Sequence, residues 1–138
     1  MEAVMKRRNI SSGSDWEKQI GFSQAVCVGP FIQISALTPV DAEGKVIGIR
    51  DAYEQTKQIL TNLQATLEHA GAEMADVVRT RIYVKDLRLW QEIGRAHGEA
   101  FQDIKPATSM LEVSRMTGPD FLVSIEADAI IDESAERV

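Results

Sequence analysis

Two runs of alternating apolar and polar residues between Lys105 and Ile131 restrict the fold of this chain most strongly. The first run covers residues 110–116 and follows residues 106–109 (Pro-Ala-Thr-Ser), the second covers residues 121–131, and residues 117–120 (Thr-Gly-Pro-Asp) separate them. Because successive side chains of a β-strand point to opposite faces and Gly-Pro favours a turn, the pattern predicts a β-hairpin. Its dry face is predicted to carry Leu111, Val113, Val123, Ile125, Ala127, Ala129 and Ile131, with Arg115 at the turn end. Its other face mixes polar and apolar residues, as a cleft or a subunit interface does: Thr108, Met110, Glu112, Ser114, Leu122, Ser124, Glu126, Asp128 and Ile130.

Glu126 is the candidate catalytic residue of this mixed face. In an antiparallel pair, only residues on the same face can stand opposite each other. The plausible registers of the predicted hairpin therefore place Glu126 opposite Met110 or Glu112. An apolar neighbour or a second carboxylate raises the pKa of a carboxyl group, which suits proton transfer near neutral pH. The alternative interpretation of Glu126 is a solvated strand carboxylate.

Composition limits the class of protein. A length of 138 residues fits one domain, residues 1–138, which can bury about two thirds of the surface of the unfolded chain. The apolar fraction of 44% and the charged fraction of 26% are typical of a globular protein. A formal net charge of −6 disfavours a nucleic-acid partner, because phosphate binding depends on clustered lysine and arginine.

The compartment is predicted from the cysteine and from hydropathy. Cys27 is the single cysteine of the sequence, which excludes an intrachain disulfide and favours a reducing compartment. No stretch approaches the roughly 18 apolar residues of a membrane span, and the N-terminal residues lack the apolar core of a signal peptide. We therefore expect a cytoplasmic protein with no membrane partner.

The N-terminal part of the chain predicts strands and a loop. Residues 7–10 fit an edge strand, and the serine-rich loop after them is predicted to use Trp16 as an anchor. Residues 21–28 and 31–37, on either side of Gly29-Pro30, predict a second hairpin. Its second arm is predicted to turn Ile32, Ile34 and Ala36 toward the core.

Two helices are predicted further along the chain. The clearer one begins at Asp51, a suitable N-cap, and ends before Gly71. A strand follows at residues 77–84, and Asp86 can cap a second helix at about residues 87–101. The inner stripe of the second helix is predicted to hold Trp90, Ile93, Ala96, His97, Ala100 and Phe101.

Two residues of the second helix are unusual. Gly94 lies inside the helix at a cost of about 1 kcal/mol relative to alanine, which suggests close packing or a ligand. His97 lies on the inner stripe, where a core or interface histidine is more common than a catalytic one.

The predicted order of elements is three strands, a helix, a strand, a helix and two strands. This order defines an α+β domain in which two helices cover one face of a single mixed sheet. The other face is only half polar, and no predicted element remains to cover it. We therefore expect a homo-oligomer whose sheets close against each other.

Sequence motifs for common cofactors are absent. The sequence has no Gly-rich phosphate loop, no Cys-x-x-Cys pair and no His-x-x-x-His or His-Glu-x-x-His spacing. His69 and His97 have no evident third partner for zinc, and no Gly-x-Ser-x-Gly elbow occurs. The sequence thus predicts neither a metal nor a nucleotide cofactor.

Eight short segments follow one another in the order of a known family. They are residues 21–25, 34–36, 55–56, 62–63, 70–72, 76–80, 106–109 and 125–127. Together they resemble the Rid family of reactive intermediate deaminases, also called YjgF-like or endoribonuclease L-PSP proteins. The resemblance covers about residues 7–131. It implies a chorismate-mutase-like α+β fold and a homotrimer with a cleft at each subunit boundary.

The resemblance also implies a site for small imines and enamines such as 2-aminoacrylate, which family members hydrolyse to keto acids and ammonia. Glu126 matches the glutamate that positions or polarises the attacking water. Thr108 stands where the family has a substrate-binding arginine, and Ser35 matches a strand serine. Phe22 stands in place of a family tyrosine and Gly94 in place of an asparagine, and both are substrate-binding candidates. The backbone N–H of Met110 and the side chain of His97 are two further substrate-binding candidates of this sequence.

The substitution of threonine for arginine leaves two functions open. It removes a charge-assisted contact of about 1.5–3 kcal/mol, which argues against 2-aminoacrylate as the substrate. The first function is hydrolysis of a differently shaped or uncharged imine, and the second is non-catalytic binding of a small metabolite by a trimer. Ribonuclease activity conflicts with the acidic charge. Arg81 is a hypothetical replacement for the lost cation, and the alternative is an ion pair between Arg81 and Asp128.

Overall fold

The structure is a computed structural model that describes residues 5–132. Within this range, a six-stranded mixed sheet and three α-helices form the domain. The strands are β1 (Arg7–Ile10), β2 (Ala25–Val28), β3 (Phe31–Leu37), β4 (Val77–Val84), β5 (Ala107–Glu112) and β6 (Val123–Ile130). The helices are α1 (Asp15–Ile20), α2 (Ala52–His69) and α3 (Trp90–Phe101). The strand order is β1-β2-β3-β6-β4-β5, in which β4 and β5 are parallel and the other neighbours are antiparallel.

The α+β class, the single mixed sheet and the two long helices are confirmed. The backbone N–H of Glu54 donates to Asp51 Oδ1 at 3.1 Å at the start of α2, and Gly71 takes a left-handed φ of 81° just beyond its end. The core lies between α2, α3 and one face of the sheet. Its largest fully buried apolar side chains are Ile32, Ile59, Leu63, Leu67, Ile82, Val84, Ile93, Val123 and Ile125.

Two polar side chains of α2 tie neighbouring loops to the core. Gln55 is fully buried, and its Nε2 donates to the Asp120 carbonyl while its Oε1 accepts from the Leu122 N–H, both at 2.8 Å. Asn62 Nδ2 donates to the Val40 carbonyl at 2.8 Å. Both residues belong to segments that carry the family resemblance, and within the protomer their contacts are structural.

The predicted hairpin between residues 105 and 131 is wrong. β5 pairs with β4 in parallel, and β6 lies between β3 and β4. Glu126 therefore stands opposite Arg81 rather than Met110 or Glu112. The alternation of apolar and polar residues predicts which face of the sheet a side chain lies on, but not which strand pairs with which. The helix α3 carries the chain back across the sheet, so that β5 pairs with β4 in parallel.

The parallel pairing also reverses the predicted faces of β5. Thr108 lies opposite Thr80 and Met110 opposite Ile82, so both lie on the side covered by helices. Leu111, predicted to be dry, is 49% exposed on the other side. We call that uncovered side the open face, and its residues include Phe31, Gln33, Ser35, Arg81, Tyr83, Leu111, Glu126, Asp128 and Ile130.

A bulge in β3 reverses its predicted faces beyond Ile34. The pairing of β3 with β6 shifts between Ile34 and Leu37, so that Ser35 and Ala36 stand opposite the single residue Glu126. One extra residue moves every later side chain to the other face. The prediction that Ala36 faces the core is therefore wrong, because Ala36 is exposed and Leu37 is buried.

The helix α1 was not predicted, because six residues are too short for a helical period to show. The Glu17 N–H donates to Ser14 Oγ at 3.3 Å, and Gly21 ends the helix with a φ of 86°. Trp16 is exposed and does not anchor the loop. Burial disfavours the charged form of Glu17, but hydrogen bonds from Ser12 and neighbouring serines bring the pKa of Glu17 below its ordinary value.

Two further boundaries differ from prediction. Residues 87–89 form a 3₁₀ turn capped by Asp86, and α3 proper begins at Trp90. Trp90 is 55% exposed, so its placement on the inner stripe is wrong, whereas Ile93, Ala96 and Phe101 are buried. β2 begins at Ala25 rather than at residue 21.

Candidate functional site

The predicted site residues form two groups that do not meet within one protomer. The first group lies around the bulge of β3 and consists of Phe22, Ser35 and Glu126. The second group lies on α3 and the edge strand β5 and consists of Gly94, His97, Thr108 and Met110. The sheet separates Glu126 on the open face from Thr108 on the helix side.

Glu126 projects from the middle of β6, and its side chain is 30% exposed. Tyr83 Oη donates to Glu126 Oε1 at 2.7 Å, and Arg81 Nη1 lies 3.6 Å from the same oxygen. Because both contacts use Oε1, the second oxygen of Glu126 has no hydrogen bond or ion pair with residues 5–132 and is available to accept from water or a ligand. The neighbours expected from the sequence, a thioether or a carboxylate, are replaced by a phenol and a guanidinium.

The phenol of Tyr83 is a hydrogen-bond donor at neutral pH. Its hydrogen bond to Glu126 raises the pKa of Tyr83, burial and the charge of Glu126 act in the same direction, and Arg81 acts weakly against them. In the sequence, Tyr83 alternates with apolar residues and lies on the same side of its strand as Arg79 and Arg81. This pattern gives no signal that Tyr83 contacts Glu126.

Arg81 is shared by two carboxylates. Its Nη1 donates to Asp128 Oδ2 at 3.2 Å, which is the ion pair expected as the alternative, and it also lies near Glu126. A cation already balanced by two acids is a poor anchor for a substrate anion. The geometry therefore does not favour Arg81 as the replacement for the family arginine.

Ser35 lies in the bulge of β3, and Phe22 directly precedes the hydrogen-bond partner of Ser35 in the chain. Ser35 Oγ donates to the Ser23 carbonyl at 2.6 Å, so its hydrogen is engaged and its lone pairs remain for a ligand. Phe22 directly precedes Ser23 and is exposed. Bulges are frequent beside active sites because they redirect side chains, and this one lies opposite Glu126.

The second group is linked by hydrogen bonds through Thr80. The buried Thr80 Oγ1 lies 2.9 Å from His97 Nε2 and 2.8 Å from Thr108 Oγ1, and Thr108 Oγ1 donates to the Pro106 carbonyl at 3.0 Å. Burial lowers the pKa of His97, so its ring is neutral at pH 7. Sequence reasoning missed Thr80, although a hydroxyl at a core position of β4 was the available signal.

A shallow cavity of about 580 Å³ opens beside this chain of hydrogen bonds, between α3 and the start of β5. Its lining includes His97, Thr108, Arg95 and Lys105. Gly94 is not part of the lining, and a Cβ built on Gly94 would meet no atom within 4 Å. Nothing among residues 5–132 explains the glycine.

The backbone N–H of Met110 faces the free edge of the described sheet. The N–H of Val113 donates to the Val84 carbonyl of β4 at 2.9 Å. Because consecutive N–H groups of a strand point to opposite sides, the Met110 N–H points away from β4. A donor is thus presented along the edge of β5.

Residues 5–132 contain neither a candidate metal site nor a helix that could span a membrane. No group of three or more histidine, cysteine, aspartate or glutamate side chains in this range could hold a metal ion. No helix in it is long and apolar enough to cross a membrane.

The structure defines a class of protein. It is a small α+β domain whose sheet has an open face with a carboxylate on it and, among the described residues, an unpaired edge strand. The family model described as Endoribonuclease L-PSP matches residues 15–131. A RutC family protein of Pyrococcus abyssi is 42% identical over 113 residues, which are 81% of this chain and 88% of that protein. The chain belongs to the endoribonuclease L-PSP family, that is, the Rid/YjgF proteins.

A solved structure and a named relative extend this assignment. The structure of a YjgF/YER057c/UK114 family member from Mycobacterium tuberculosis superposes with a TM-score of 0.83 at 42% identity, covering 91% of this chain and all of that one (100%). A 2-iminobutanoate/2-iminopropanoate deaminase of Salmonella typhimurium is 31% identical over 112 residues, which are 79% of this chain and 86% of that protein. The family and the fold predicted from the eight segments are confirmed.

Proposed function

We propose that this protein hydrolyses a small imine or enamine to a carbonyl compound and ammonia. The observation that carries the proposal is Glu126, a carboxylate held on the open face by Tyr83 with one oxygen free. The name of the Salmonella typhimurium relative supports the same class of reaction.

The chemistry requires one water and no cofactor. The free oxygen of Glu126 accepts a hydrogen bond from water and orients its attack on the imine carbon. The proton released by the water passes to the imine nitrogen, which gives a carbinolamine. When the carbon–nitrogen bond of the carbinolamine breaks, the proton of its hydroxyl passes to the nitrogen, the hydroxyl becomes the carbonyl, and the nitrogen leaves as ammonia. An enamine enters the same sequence after protonation at carbon.

We propose further that the site is completed by a second protomer in a homotrimer. The two groups of site residues lie at different places on the sheet. A head-to-tail contact would bring the bulge of one protomer against the β5 edge of the next. Such heterologous contacts form a closed ring when the rotation closes. The Met110 N–H would then face the substrate beside Glu126 of the neighbour.

The substrate is proposed to present an uncharged group to Thr108. The hydrogen of Thr108 is donated to the Pro106 carbonyl, so Thr108 Oγ1 can only accept a hydrogen bond from a substrate, and it does not replace a bidentate guanidinium. We therefore expect imines without a carboxylate at this point, or with a different shape, to be better substrates than 2-aminoacrylate.

Ammonia release from a panel of freshly generated imines tests the proposal. Replacement Glu126→Gln keeps the shape of the side chain and removes the acceptor charge, so we expect turnover to fall at least about 100-fold. Glu43→Gln, in an exposed turn, is the matched control and should behave as the wild type.

Absence of turnover above background on every imine would reject the hydrolase. It would favour the alternative, a metabolite-binding trimer, for which the threonine at position 108 is the supporting observation.

A further inference from the structure

Tyr83 has no role in the reaction described above, yet it makes the shortest contact of Glu126. It lies on β4 opposite Ser124, diagonally across from Glu126. Side chains in this relation are within reach when one of them is long and aromatic. Its Oη donates to Glu126 Oε1 at 2.7 Å, which is the length of a strong O–H···O⁻ hydrogen bond.

We propose that Tyr83 is a positioning residue that sets the orientation of the Glu126 carboxylate toward the attacking water. This inference rests on the proposed function and adds a second residue to it. Because the Tyr83 hydroxyl occupies Oε1 of Glu126, the attacking water donates its hydrogen bond to the other oxygen, Oε2, which sets the position of the water.

The other groups around Glu126 do not fix its orientation. On the open face, the charged groups nearest to it are Arg81 and Asp128, and Arg79 stands opposite Asp128 in the register. Arg81 lies 3.6 Å from Glu126, too far for a hydrogen bond, and 3.2 Å from Asp128. A charge at that distance attracts the carboxylate without setting its rotation. The directional contact is that of Tyr83.

A second tyrosine–glutamate pair provides an internal control. Tyr53 Oη donates to Glu99 Oε2 at 2.7 Å, between α2 and α3, and both residues are on the helical side of the molecule. Tyr53→Phe removes the same hydroxyl from the same kind of pair, away from Glu126. The chain has two tyrosines, so this variant also leaves Tyr83 as the sole phenol.

Titration of the phenol by ultraviolet absorbance tests the bond in solution, independently of activity. In Tyr53→Phe, Tyr83 should ionise above its ordinary value of 10.0, because phenolate would face the carboxylate. Adding Glu126→Gln should move the midpoint down. An unchanged midpoint would mean that the bond does not exist in solution and would overturn the inference.

Kinetics on the imine panel test the role. Tyr83→Phe should lower kcat by about tenfold with KM within about twofold, as expected when an interaction that matters in the transition state is lost. Tyr53→Phe should match the wild type in both constants, and thermal unfolding of each variant monitors the fold.

The kinetic outcomes separate the two proposals. Wild-type turnover in Tyr83→Phe, together with an inactive Glu126→Gln, would overturn the role of Tyr83 and leave the hydrolase intact. Full turnover in Glu126→Gln would overturn the role of Glu126 in the hydrolysis and, with it, the positioning role of Tyr83, whereas absence of turnover in the wild type would reject the hydrolase.

Discussion

At the scale of single residues, the hydroxyl of Thr80 links α3 to β5 through two hydrogen bonds. Thr80 has one hydrogen and two polar partners, His97 and Thr108. Because Thr108 donates to the Pro106 carbonyl, Thr80 must donate to Thr108, and His97 must donate to Thr80. This arrangement assigns the hydrogen of the neutral His97 ring to Nε2.

The buried state of His97 predicts a loss of stability in acid. Burial lowers the pKa of His97 below its ordinary value of 6.5, so the unfolded chain binds more protons than the folded one between the two pKa values. Stability from this residue is therefore complete above about pH 6.5 and falls as the pH drops through the folded pKa. Urea unfolding at about pH 7.5 and about pH 5.5 should show this loss in the wild type and a smaller loss in His97→Gln.

His69 provides the control for that measurement. It is the other histidine of the chain, and it is exposed at the end of α2. His69→Gln should keep the pH dependence of the wild type. An equal loss in the His97→Gln and wild-type proteins would contradict the argument.

At the scale of elements, Gln55 holds the segment before β6 against α2. Gln55→Leu would leave the Asp120 carbonyl and the Leu122 N–H without their partner. Each buried group left unsatisfied costs about 1–3 kcal/mol, so we expect the free energy of unfolding to fall by about 2–4 kcal/mol. Gln64→Leu, on the exposed side of the same helix, should change it by less than about 0.5 kcal/mol in urea unfolding. Equal effects of the two substitutions would refute this role.

The sequence predicted which segments are helices and which are strands, because apolar residues recur with a different spacing in each. The 18 residues of α2 show a helical stripe with an aspartate cap, and β3, β4 and β6 alternate. The neighbour of each strand was not predictable, because alternation contains no information about which strand lies alongside. The bulge at Ser35 and Ala36 likewise depends on the pairing of two distant strands.

The candidate site was predictable only in part, for the same reason. Glu126 was found because it is an acid on a half-apolar strand face, and its place on the open face follows from its own strand. Thr108 was assigned to the same face as Glu126 because both runs were read as one hairpin, and the parallel pairing separates them. The contact of Tyr83 requires the register of β4 against β6, which the sequence does not display.

At the scale of the whole molecule, the open face predicts assembly. Phe31 and Ile130 stand opposite each other on it and are 45% and 39% exposed, an apolar pair suited to burial in an interface. We expect the wild type to be a trimer by light scattering, and Ile130→Lys to shift it toward the monomer because a buried unpaired charge is unfavourable. Ile49→Lys, at an exposed isoleucine just before α2, should remain trimeric. A monomeric wild type would remove the basis for a shared site.

The edge position of β5 has a consequence for a protomer that has lost its partners. A strand with outward-pointing N–H and carbonyl groups is a template on which any extended peptide can add. In the described sheet, the β5 edge is covered by no other strand. If a neighbouring protomer shields this edge, then association also protects the chain from aggregation, and conditions that dissociate the protein should make it precipitate before it unfolds.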